Sequence, residues 1–350
     1  MGIPLFKIPT NAVELITQLM DTFTLILLPL CSKKTKHLVK SMEHDVKVIC
    51  FTVATRPRVV IFRGDDNKAE IYLTLDNAKK QRENHPLNEA RITAFTVYLS
   101  DFDDDEDEKE EFKVSLKDGI LIKDWITAMM SCSSLDVIKN LKLGGYSQYD
   151  PLSIKKIFGE SKIREIFYME GVTGCYARAV LHDFLTARSV IVNSETYDED
   201  HSDERLRLLS RNYDRLQLRD DNHLKFDELI SCNAVNIDIG KNHILAAKDL
   251  NRYLRMWMKG SFRRLQILTV QFEEEVVLNN EVVLAKIPYQ DGPRDDRRRT
   301  ILTEDYLTLL VEGGGFEIRS NDGRRGTVNS NGNCYKKGQI FTDNPQTHGY

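Results

Sequence analysis

Cys175 and His182 are the residues of this sequence whose types and spacing come closest to catalytic chemistry. They lie seven positions apart, and because an α-helix turns once in about 3.6 residues, both side chains fall near one helix face if the segment is helical. A thiol beside an imidazole is the nucleophile–base arrangement of cysteine-dependent hydrolases. A lone Cys–His spacing is far more often structural than catalytic, so we predict no catalytic residue and expect a protein that is not an enzyme.

Two other patterns suggest chemistry but lack the residues that it requires. His201, His223 and His243 recur at intervals of 22 and 20 residues without Cys or carboxylate partners at ligand spacing, which argues against a metal site. Glycines fill positions 313–315 but lack the Lys and Ser/Thr of a phosphate-binding loop, so this segment is predicted to be a turn. We therefore expect neither a metal nor a cofactor.

The composition is that of a folded protein without a bias towards nucleic acid or lipid. Of the 350 residues, 41% are hydrophobic and 29% charged, and the formal net charge is −4, so no overall basic field attracts nucleic acid. No apolar run approaches the roughly 20 residues of a membrane span. The six cysteines are widely scattered without a C-x-x-C pair, which is typical of free thiols in a reducing compartment. We expect an intracellular protein of the cytoplasm or nucleus, with no nucleic-acid or membrane partner.

A small helical module is predicted at residues 1–44. Pro9 precedes an apolar-periodic run, and a second helical stretch follows it, which is the pattern of amphipathic helices. The apolar positions of the first helix are Val13, Leu15, Ile16, Leu19 and Met20. The segment is too small to fold as an independent enzyme and too apolar to be a loose tail, so we expect a module that completes its core against a partner. Pro29 predicts a bend or a helix boundary in the second stretch.

An antiparallel β segment is predicted at residues 45–118. Runs rich in β-branched and aromatic residues are separated by turns at Arg56-Pro57 and at positions 64–67. The predicted strands are 48–53, 58–62, 71–75 and 92–99. The acidic run at 101–111 is predicted to be a solvated, self-repelling loop.

A repeating β–α body is predicted at residues 119–272. Short apolar strands recur with centres 21 to 30 residues apart, and helical stretches lie between them. The predicted strands are 138–143, 166–169, 190–192, 216–218, 235–239 and 265–270, and the predicted helices are 151–158, 176–185, 203–209, 226–231 and 246–258. This period is typical of leucine-rich-repeat-like solenoids, and most of these strands alternate apolar with polar residues, as half-buried strands do. The predicted fold class is α/β (α+β overall), with a curved parallel sheet that has helices on its convex side and a polar concave face.

The C-terminal residues 273–350 are predicted to contain strands, a hairpin and a frayed tail that begins at Thr342. Residues 304–310 are interpreted as a helix. Residues 316–318 and 326–328 are interpreted as a hairpin about the turn Asn321-Asp322-Gly323.

Two segments of the chain resemble known families. Leu5-Phe6-Lys7-Ile8-Pro9, with the run Leu30-Cys31-Ser32-Lys33-Lys34-Thr35-Lys36 and Leu38-Val39, resembles an F-box in the form found in the large nematode F-box family. Residues 206–270 resemble the type-2 F-box-associated domain. The runs that carry this second resemblance are Leu208-Leu209-Ser210-Arg211-Asn212, Leu216-Gln217-Leu218-Arg219-Asp220, Asn236-Ile237-Asp238-Ile239-Gly240, Asp249-Leu250-Asn251-Arg252-Tyr253-Leu254-Arg255-Met256-Trp257-Met258-Lys259-Gly260 and Arg263-Arg264-Leu265. Leu250, Leu254, Trp257 and Met258 share one helix face, so the tryptophan is predicted to pack in the core.

The resemblance implies a substrate receptor of an SCF ubiquitin ligase. In such a receptor the F-box binds a Skp-type adaptor, which links to a cullin and a RING subunit, and the other domain holds a protein target, here unknown. The resemblance places these residues at or just beneath the adaptor interface: Leu5, Ile8, Pro9, Ile16, Leu19, Leu30 and Cys31. For Leu19 and Cys31, a place in the module's own core remains an equal alternative.

For target capture, the alternation of the strands nominates the polar positions of the concave face. These are Asn140, Lys142, Gln217, Arg219, Asn236 and Asp238. Pro29 and the turn Phe23-Thr24 depart from the family pattern, so a second function stays open. It is a non-catalytic interaction solenoid whose F-box is degenerate and recruits no ligase.

Overall fold

The computed structural model describes residues 34–35, 46–54, 56–63, 67–76, 86–101, 110–132, 137–144, 149–158, 162–169, 172, 174–184, 187–192, 202–219, 224–242, 244–272, 279–291, 299–302, 308–311, 316–329 and 337–343. Of the module predicted at residues 1–44, Lys34 and Thr35 are described, and both are helical. The chain divides into two compact units, residues 1–187 and 188–350. Strands and short helices occur in both units, which confirms the predicted mixed α/β class.

The first unit contains a sheet with an antiparallel and a parallel part. Its strands are β1 Val46–Val53, β2 Arg58–Arg63, β3 Asn67–Leu75, β4 Arg91–Asp101, β5 Glu110–Leu121, β6 Val137–Leu143 and β7 Lys162–Tyr168. Consecutive strands from β1 to β5 pair antiparallel, whereas β6 pairs with β1, and β7 with β6, in parallel. The strand order is therefore β7-β6-β1-β2-β3-β4-β5.

Short helices connect and cover these strands. They are α1 Ile122–Cys132, α2 Pro151–Phe158 and α3 Gly174–Asp183, with a 3-10 turn at Leu87–Glu89. α2 begins where the sequence predicts, because proline needs no hydrogen bond at the first helical position and Asp150 precedes it. The Asp150 carboxylate accepts a hydrogen bond from the Ser153 amide at 2.9 Å, which caps the helix.

One face of this sheet carries the core of the first unit. Alternate residues of β1 (Ile49, Phe51 and Val53) are at most 1% exposed. The rings of Phe51 and Phe158 are 4.9 Å apart, which places α2 against this face. The Phe95 and Trp125 rings are 5.5 Å apart, which places α1 on the same side.

Strand β5 and helix α1 are the elements of this unit that the sequence patterns missed. β5 begins at Glu110, inside the run predicted to be an acidic loop, and β4 extends to Asp101. That prediction is wrong at both ends of the run, because backbone pairing with β4 and the contact of Lys113 with Glu111 at 2.9 Å offset the repulsion between the acids there. Positions 102–109 lie outside the described residues.

The second unit has a parallel group of strands followed by antiparallel ones. Its strands are β8 Ser189–Val192, β9 Arg215–Leu218, β10 Asn236–Asn242, β11 Ile267–Phe272, β12 Tyr289–Asp291, β13 Arg299–Leu302, β14 Thr308–Val311, β15 Phe316–Arg319, β16 Arg325–Asn329 and β17 Lys337–Asp343. Its helices are α4 Ser202–Leu209, α5 Phe226–Ser231, α6 Ala247–Met258 and α7 Asn280–Val283. Strands β8 to β11 pair in parallel, as predicted for this part of the chain. From β11 the sheet continues antiparallel through β17, β16, β15 and β12, and β13 pairs with β14 separately.

Local sequence explains where two of these helices begin. A carboxylate at the third helical position reaches back to the backbone N–H before the first turn, as in one half of a capping box. Glu228 accepts from the Lys225 amide at 2.8 Å for α5, and Asp249 accepts from the Ala246 amide at 3.0 Å for α6.

Helix α6 ends in a Schellman motif. The Gly260 amide donates to the Trp257 carbonyl at 2.9 Å, and the Ser261 amide donates to the Met256 carbonyl at 3.1 Å. Gly260 has a φ of +94°, which glycine adopts without the penalty that a side chain would add. The helix therefore stops at a position that its sequence specifies.

The C-terminal predictions are partly right. The hairpin about Asn321-Asp322-Gly323 is confirmed, since β15 and β16 pair antiparallel on either side of that turn. The helix predicted at 304–310 is wrong at its described end, where Thr308–Val311 is strand β14 because it finds a partner in β13. The predicted fraying at Thr342 is also wrong, since β17 continues to Asp343 by pairing with β16. Positions 344–350 lie outside the described residues.

None of the helices formed by the described residues is long and apolar enough to span a membrane.

Candidate functional site

The four candidate residues of the second unit lie on two neighbouring parallel strands or at their end. Gln217 belongs to β9 and Asn236 and Asp238 to β10, while Arg219 directly follows β9. The Arg219 amide donates to the Val192 carbonyl at 2.8 Å, so the backbone keeps its strand pairing one residue beyond β9. Gln217 is directly opposite Asp238 in the register of the two strands.

The alternation that suggested these residues is present in the structure. Leu216 and Leu218 of β9, and Ile237 and Ile239 of β10, are at most 3% exposed. The intervening polar side chains are half-buried, and Arg219 is exposed. Because successive side chains of a strand point to opposite faces, the polar residues share the face opposite this core. We call Arg215, Gln217, Arg219, Asn236 and Asp238 the β9–β10 polar face.

Arg215 is a member of this face that the sequence reading missed. It is directly opposite Asn236, and its Nη2 atom donates to Oε1 of Gln217 at 3.2 Å. The sequence contains the evidence for it, because Arg215 precedes Gln217 by two residues and therefore points to the same face of the strand. The predicted strand began at Leu216, one residue too late to include it.

The β9–β10 polar face is flanked on each side by one apolar and one polar position. In register, Ile191 and Ser189 of β8 are opposite Gln217 and Arg215. Ile267 and Thr269 of β11 are opposite Asn236 and Asp238. All four flanking residues are at most 6% exposed. The face itself has a guanidinium at each end of its β9 side and a carboxylate at Asp238.

One atom of this face has an unmet hydrogen-bonding requirement. The Oδ1 atom of Asn236 is buried and has no hydrogen-bond donor among the described residues. A buried carbonyl oxygen without a donor costs about 1–3 kcal/mol.

The other two candidates, Asn140 and Lys142, belong to β6 in the first unit. They alternate with the buried Leu141 and Leu143, as predicted. In the amide orientation that its surroundings favour, Asn140 donates to Oε1 of Glu165 at 3.1 Å. The ammonium of Lys142 lies 5.6 Å from the centroid of the Phe167 ring, a cation–π distance.

Cys175 and His182 both lie in α3. Burial raises the pKa of the Cys50 thiol on β1, which disfavours the thiolate that a nucleophile requires. Among the described residues, no group of three or more His, Cys, Asp or Glu side chains is placed to hold a metal ion. His201, His223, His243 and the glycines at 313–315 lie outside the described residues.

The residues predicted at the adaptor interface also lie outside the described residues: Leu5, Ile8, Pro9, Ile16, Leu19, Leu30 and Cys31. Their assignment stays a prediction.

Helix α6, which carries the longest family-like run, is built as a core helix. Leu250, Tyr253, Leu254 and Trp257 are at most 5% exposed, so the predicted core position of the tryptophan is confirmed. Met258, predicted on the same face, is half-buried.

Comparison with protein families decides what this part of the chain is. A family model described as F-box associated matches residues 206–270. The chain is an F-box-associated domain protein. The segment that defines this F-box-associated domain contains the whole β9–β10 polar face, while Asn140 and Lys142 precede it. Comparison of this F-box-associated domain protein with curated proteins and with solved structures found no match.

Proposed function

We propose that this protein is the substrate-recognition subunit, or F-box receptor, of an SCF-type E3 ubiquitin ligase. The observation that carries the proposal is the F-box-associated match at residues 206–270. Residues 1–44 act as the F-box and bind a Skp-type adaptor, and through it a cullin and a RING subunit. The C-terminal part binds the protein target. The protein works inside the cell, in the cytoplasm or the nucleus.

The mechanism that follows is positional. Holding a target beside a ubiquitin-charged enzyme turns an intermolecular encounter into an effectively intramolecular one and raises the local concentration of target lysines. The receptor needs no catalytic residue, metal or cofactor for this role. We accordingly propose that it is not itself an enzyme.

We further propose that the parallel part of the second unit is a leucine-rich-repeat-like solenoid. Backbone bonds of one kind recur where its strands begin: the Asp214 amide donates to the Arg188 carbonyl at 2.8 Å, and the Asn236 amide donates to the Asp214 carbonyl at 2.9 Å. One side-chain hydrogen bond also joins successive turns, since Asn233 donates to Asn212, 21 positions earlier, at 2.5 Å. In solenoids the strand face is a common binding surface.

On this basis the β9–β10 polar face is the proposed target-binding surface. It offers two guanidiniums and one carboxylate. These groups suit a target segment that presents both an acidic and a basic side chain.

Co-precipitation with the Skp-type adaptor tests the ligase part of the proposal. The wild-type chain should bind the adaptor, Ile16→Asp should abolish binding by placing a charge on the apolar face, and Pro9→Ala should weaken it. Wild-type protein that is folded but does not bind the adaptor would reduce the function to that of a non-ligase interaction solenoid.

Target capture tests the binding surface separately. Proximity labelling in cells with the proteasome blocked identifies candidate targets, and their recovery is then compared between variants. Arg219→Glu with Asp238→Lys should lower recovery at least tenfold while the unfolding transition is retained. The matched control is Arg207→Glu with Asp227→Lys, which makes the same charge changes at exposed positions of α4 and α5. Equal recovery by both double variants would remove this face from consideration.

A further inference from the structure

Two rows of side chains cross the whole sheet of the first unit on the face opposite its core. Directly paired residues of neighbouring strands point to the same face, so the registers from β7 to β5 define these rows. The acidic row is Glu165, Asn140, Cys50, Val60, Glu70, Tyr98 and Glu111. The basic row is Phe167, Lys142, Thr52, Arg58, Tyr72, Thr96 and Lys113.

The two rows carry opposite charges. Within them, the three carboxylates lie in the acidic row, on β7, β3 and β5, and the three cations lie in the basic row, on β6, β2 and β5. Rows that sit two residues apart along each strand are about 7 Å apart. The face therefore presents a negative line and a parallel positive line.

Contacts between and within the rows fix these side chains in place. Arg58 bonds to Glu70 at 3.3 Å and to the Tyr72 hydroxyl at 3.2 Å. The Tyr72 and Tyr98 rings meet edge to face with centroids 5.6 Å apart, and Tyr98 donates to Glu111 at 3.3 Å. A surface ordered in this way loses less side-chain entropy when it binds.

Part of this face remains accessible to a partner. The side chains of Lys113 and Glu111 are 71% and 41% exposed, and that of Arg58 is 31% exposed. Arginine and tyrosine, which contribute three of its central side chains, are the residues enriched at protein–protein contacts.

We propose that this face binds the same face of a second copy of the chain. A two-fold axis that runs along the rows, midway between them, exchanges the rows and so places the acidic row of one copy opposite the basic row of the other. Lys113 then faces Glu111 of the second copy, and Glu111 faces its Lys113. Arg58 and Lys142 each come within about one strand spacing, ~5 Å, of a carboxylate of the other copy. The pattern is thus self-complementary.

The size of the face sets the strength of this pairing. Seven strands about 4.8 Å apart and two rows each about 7 Å wide cover on the order of 400 Å² in each copy, and Thr52 and Val60 in the centre of these rows are at most 8% exposed. This area is less than the roughly 800 Å² per partner of stable complexes, so the dimer is weak, reversible and sensitive to salt. Because Asn140 and Lys142 lie in the rows, dimerisation would cover both. The proposal does not depend on the ligase function.

Sedimentation velocity of the full chain over a series of concentrations, in low and in high salt, tests the proposal. The wild type should shift towards dimer as concentration rises, and high salt should reverse the shift. Lys113→Glu should weaken self-association at least tenfold, because it places a carboxylate opposite Glu111 of the other copy. Lys123→Glu makes the same charge change at an exposed position of α1, on the opposite side of the sheet, and should leave self-association unchanged.

A charge swap separates the proposed pairing from a general charge effect. Glu111→Lys with Lys113→Glu keeps the pair within each copy and restores self-complementarity, so this variant should dimerise with itself. Mixed with wild type it should form no heterodimer, because like charges then face each other in both pairs. A wild type that stays monomeric at every concentration would overturn the proposal. So would a Lys113→Glu variant that self-associates as strongly as the wild type. Heterodimers between the swapped variant and the wild type would overturn it as well.

Discussion

The guanidinium of Arg324 lies over the indole of Trp257, 5.2 Å from the ring centroid, and joins the C-terminal hairpin to the end of α6. Arg324 donates to the carbonyls of Ser261 and Phe262, both at 3.2 Å, and forms an ion pair with Asp322 at 3.1 Å. These carbonyls belong to the turn that follows α6. The hairpin is therefore part of the fold that positions the F-box-associated segment, although it lies some 50 residues beyond the matched range.

Arg324→Met should destabilise the second unit by about 2–3 kcal/mol. The substitution keeps an apolar chain over Trp257 but leaves two carbonyls of a packed turn without their donor and Asp322 without its cation. Urea unfolding followed by tryptophan fluorescence measures the change. Arg319→Met, at an exposed position of the same hairpin, should stay within about 0.5 kcal/mol of wild type. Equal losses of unfolding free energy in the two variants would mean that the contacts of Arg324 with this turn add nothing specific to stability.

Asp322 should make the unfolding free energy depend on pH in the acid range. Hydrogen bonds from Arg324 and Ser320 lower the pKa of Asp322 to about 2. A carboxyl whose folded pKa is depressed stabilises the fold above its unfolded pKa of about 3.9, and that contribution is lost as the pH falls towards 2. The side chain is 39% exposed, so screening limits the contribution to below about 1 kcal/mol.

Asp322→Asn removes this titration and provides the comparison. The difference in unfolding free energy between wild type and the variant should shrink steadily between pH 5 and pH 2.5. A difference that stays constant over this range would show that Asp322 does not titrate with folding.

Tyr253→Phe should leave stability unchanged or raise it by up to about 1 kcal/mol. The Tyr253 hydroxyl is buried without a hydrogen-bond partner among the described residues. Folding removes this hydroxyl from water without giving it a new hydrogen bond, and the substitution eliminates that cost. The Tyr253 ring stacks on Phe262 with centroids 4.3 Å apart, and a phenylalanine ring should keep this contact. Tyr168→Phe is the contrast, because the Tyr168 hydroxyl donates to the Ala177 carbonyl at 3.0 Å and its loss should cost about 1 kcal/mol. Comparable losses at Tyr253 and Tyr168 would show that Tyr253 has a partner in solution.

The sequence predicts those parts of the fold that local chemistry determines. Strands β1 to β4 follow from runs of β-branched and aromatic residues, and α2 and α5 begin and end at the predicted residues. The half-buried alternation at Gln217 and Asp238 was also visible, since a strand with one buried face has a period of two.

Elements that depend on distant pairing were missed. β5 begins with charged residues and is a strand because β4 offers it a partner, and β14 is a strand because β13 does. The two charged rows of the first unit are equally hidden, because Lys142, Arg58 and Lys113 become neighbours only through the registers of seven strands. The hydrogen bond from Arg324 to the Ser261 carbonyl joins residues 63 positions apart in the chain. The residue pattern within a single segment does not predict contacts between segments that are distant in the chain.

Ser153→Ala should destabilise the first unit by about 1–3 kcal/mol through a contact of this kind. The Ser153 hydroxyl, fully buried, accepts from the Leu87 amide at 2.9 Å, 66 positions earlier in the chain, and donates to the Asp150 carbonyl at 2.6 Å. Alanine keeps the Cβ but removes the Oγ acceptor, which leaves the Leu87 N–H buried without an acceptor. Thr127→Ala is the matched control, since its exposed hydroxyl donates to the Lys123 carbonyl within α1 and water can replace that bond. Hydrogen exchange gives the sharper measurement: the Leu87 amide should lose protection in Ser153→Ala and keep it in Thr127→Ala, and protection retained in both would show that Ser153 is not its acceptor.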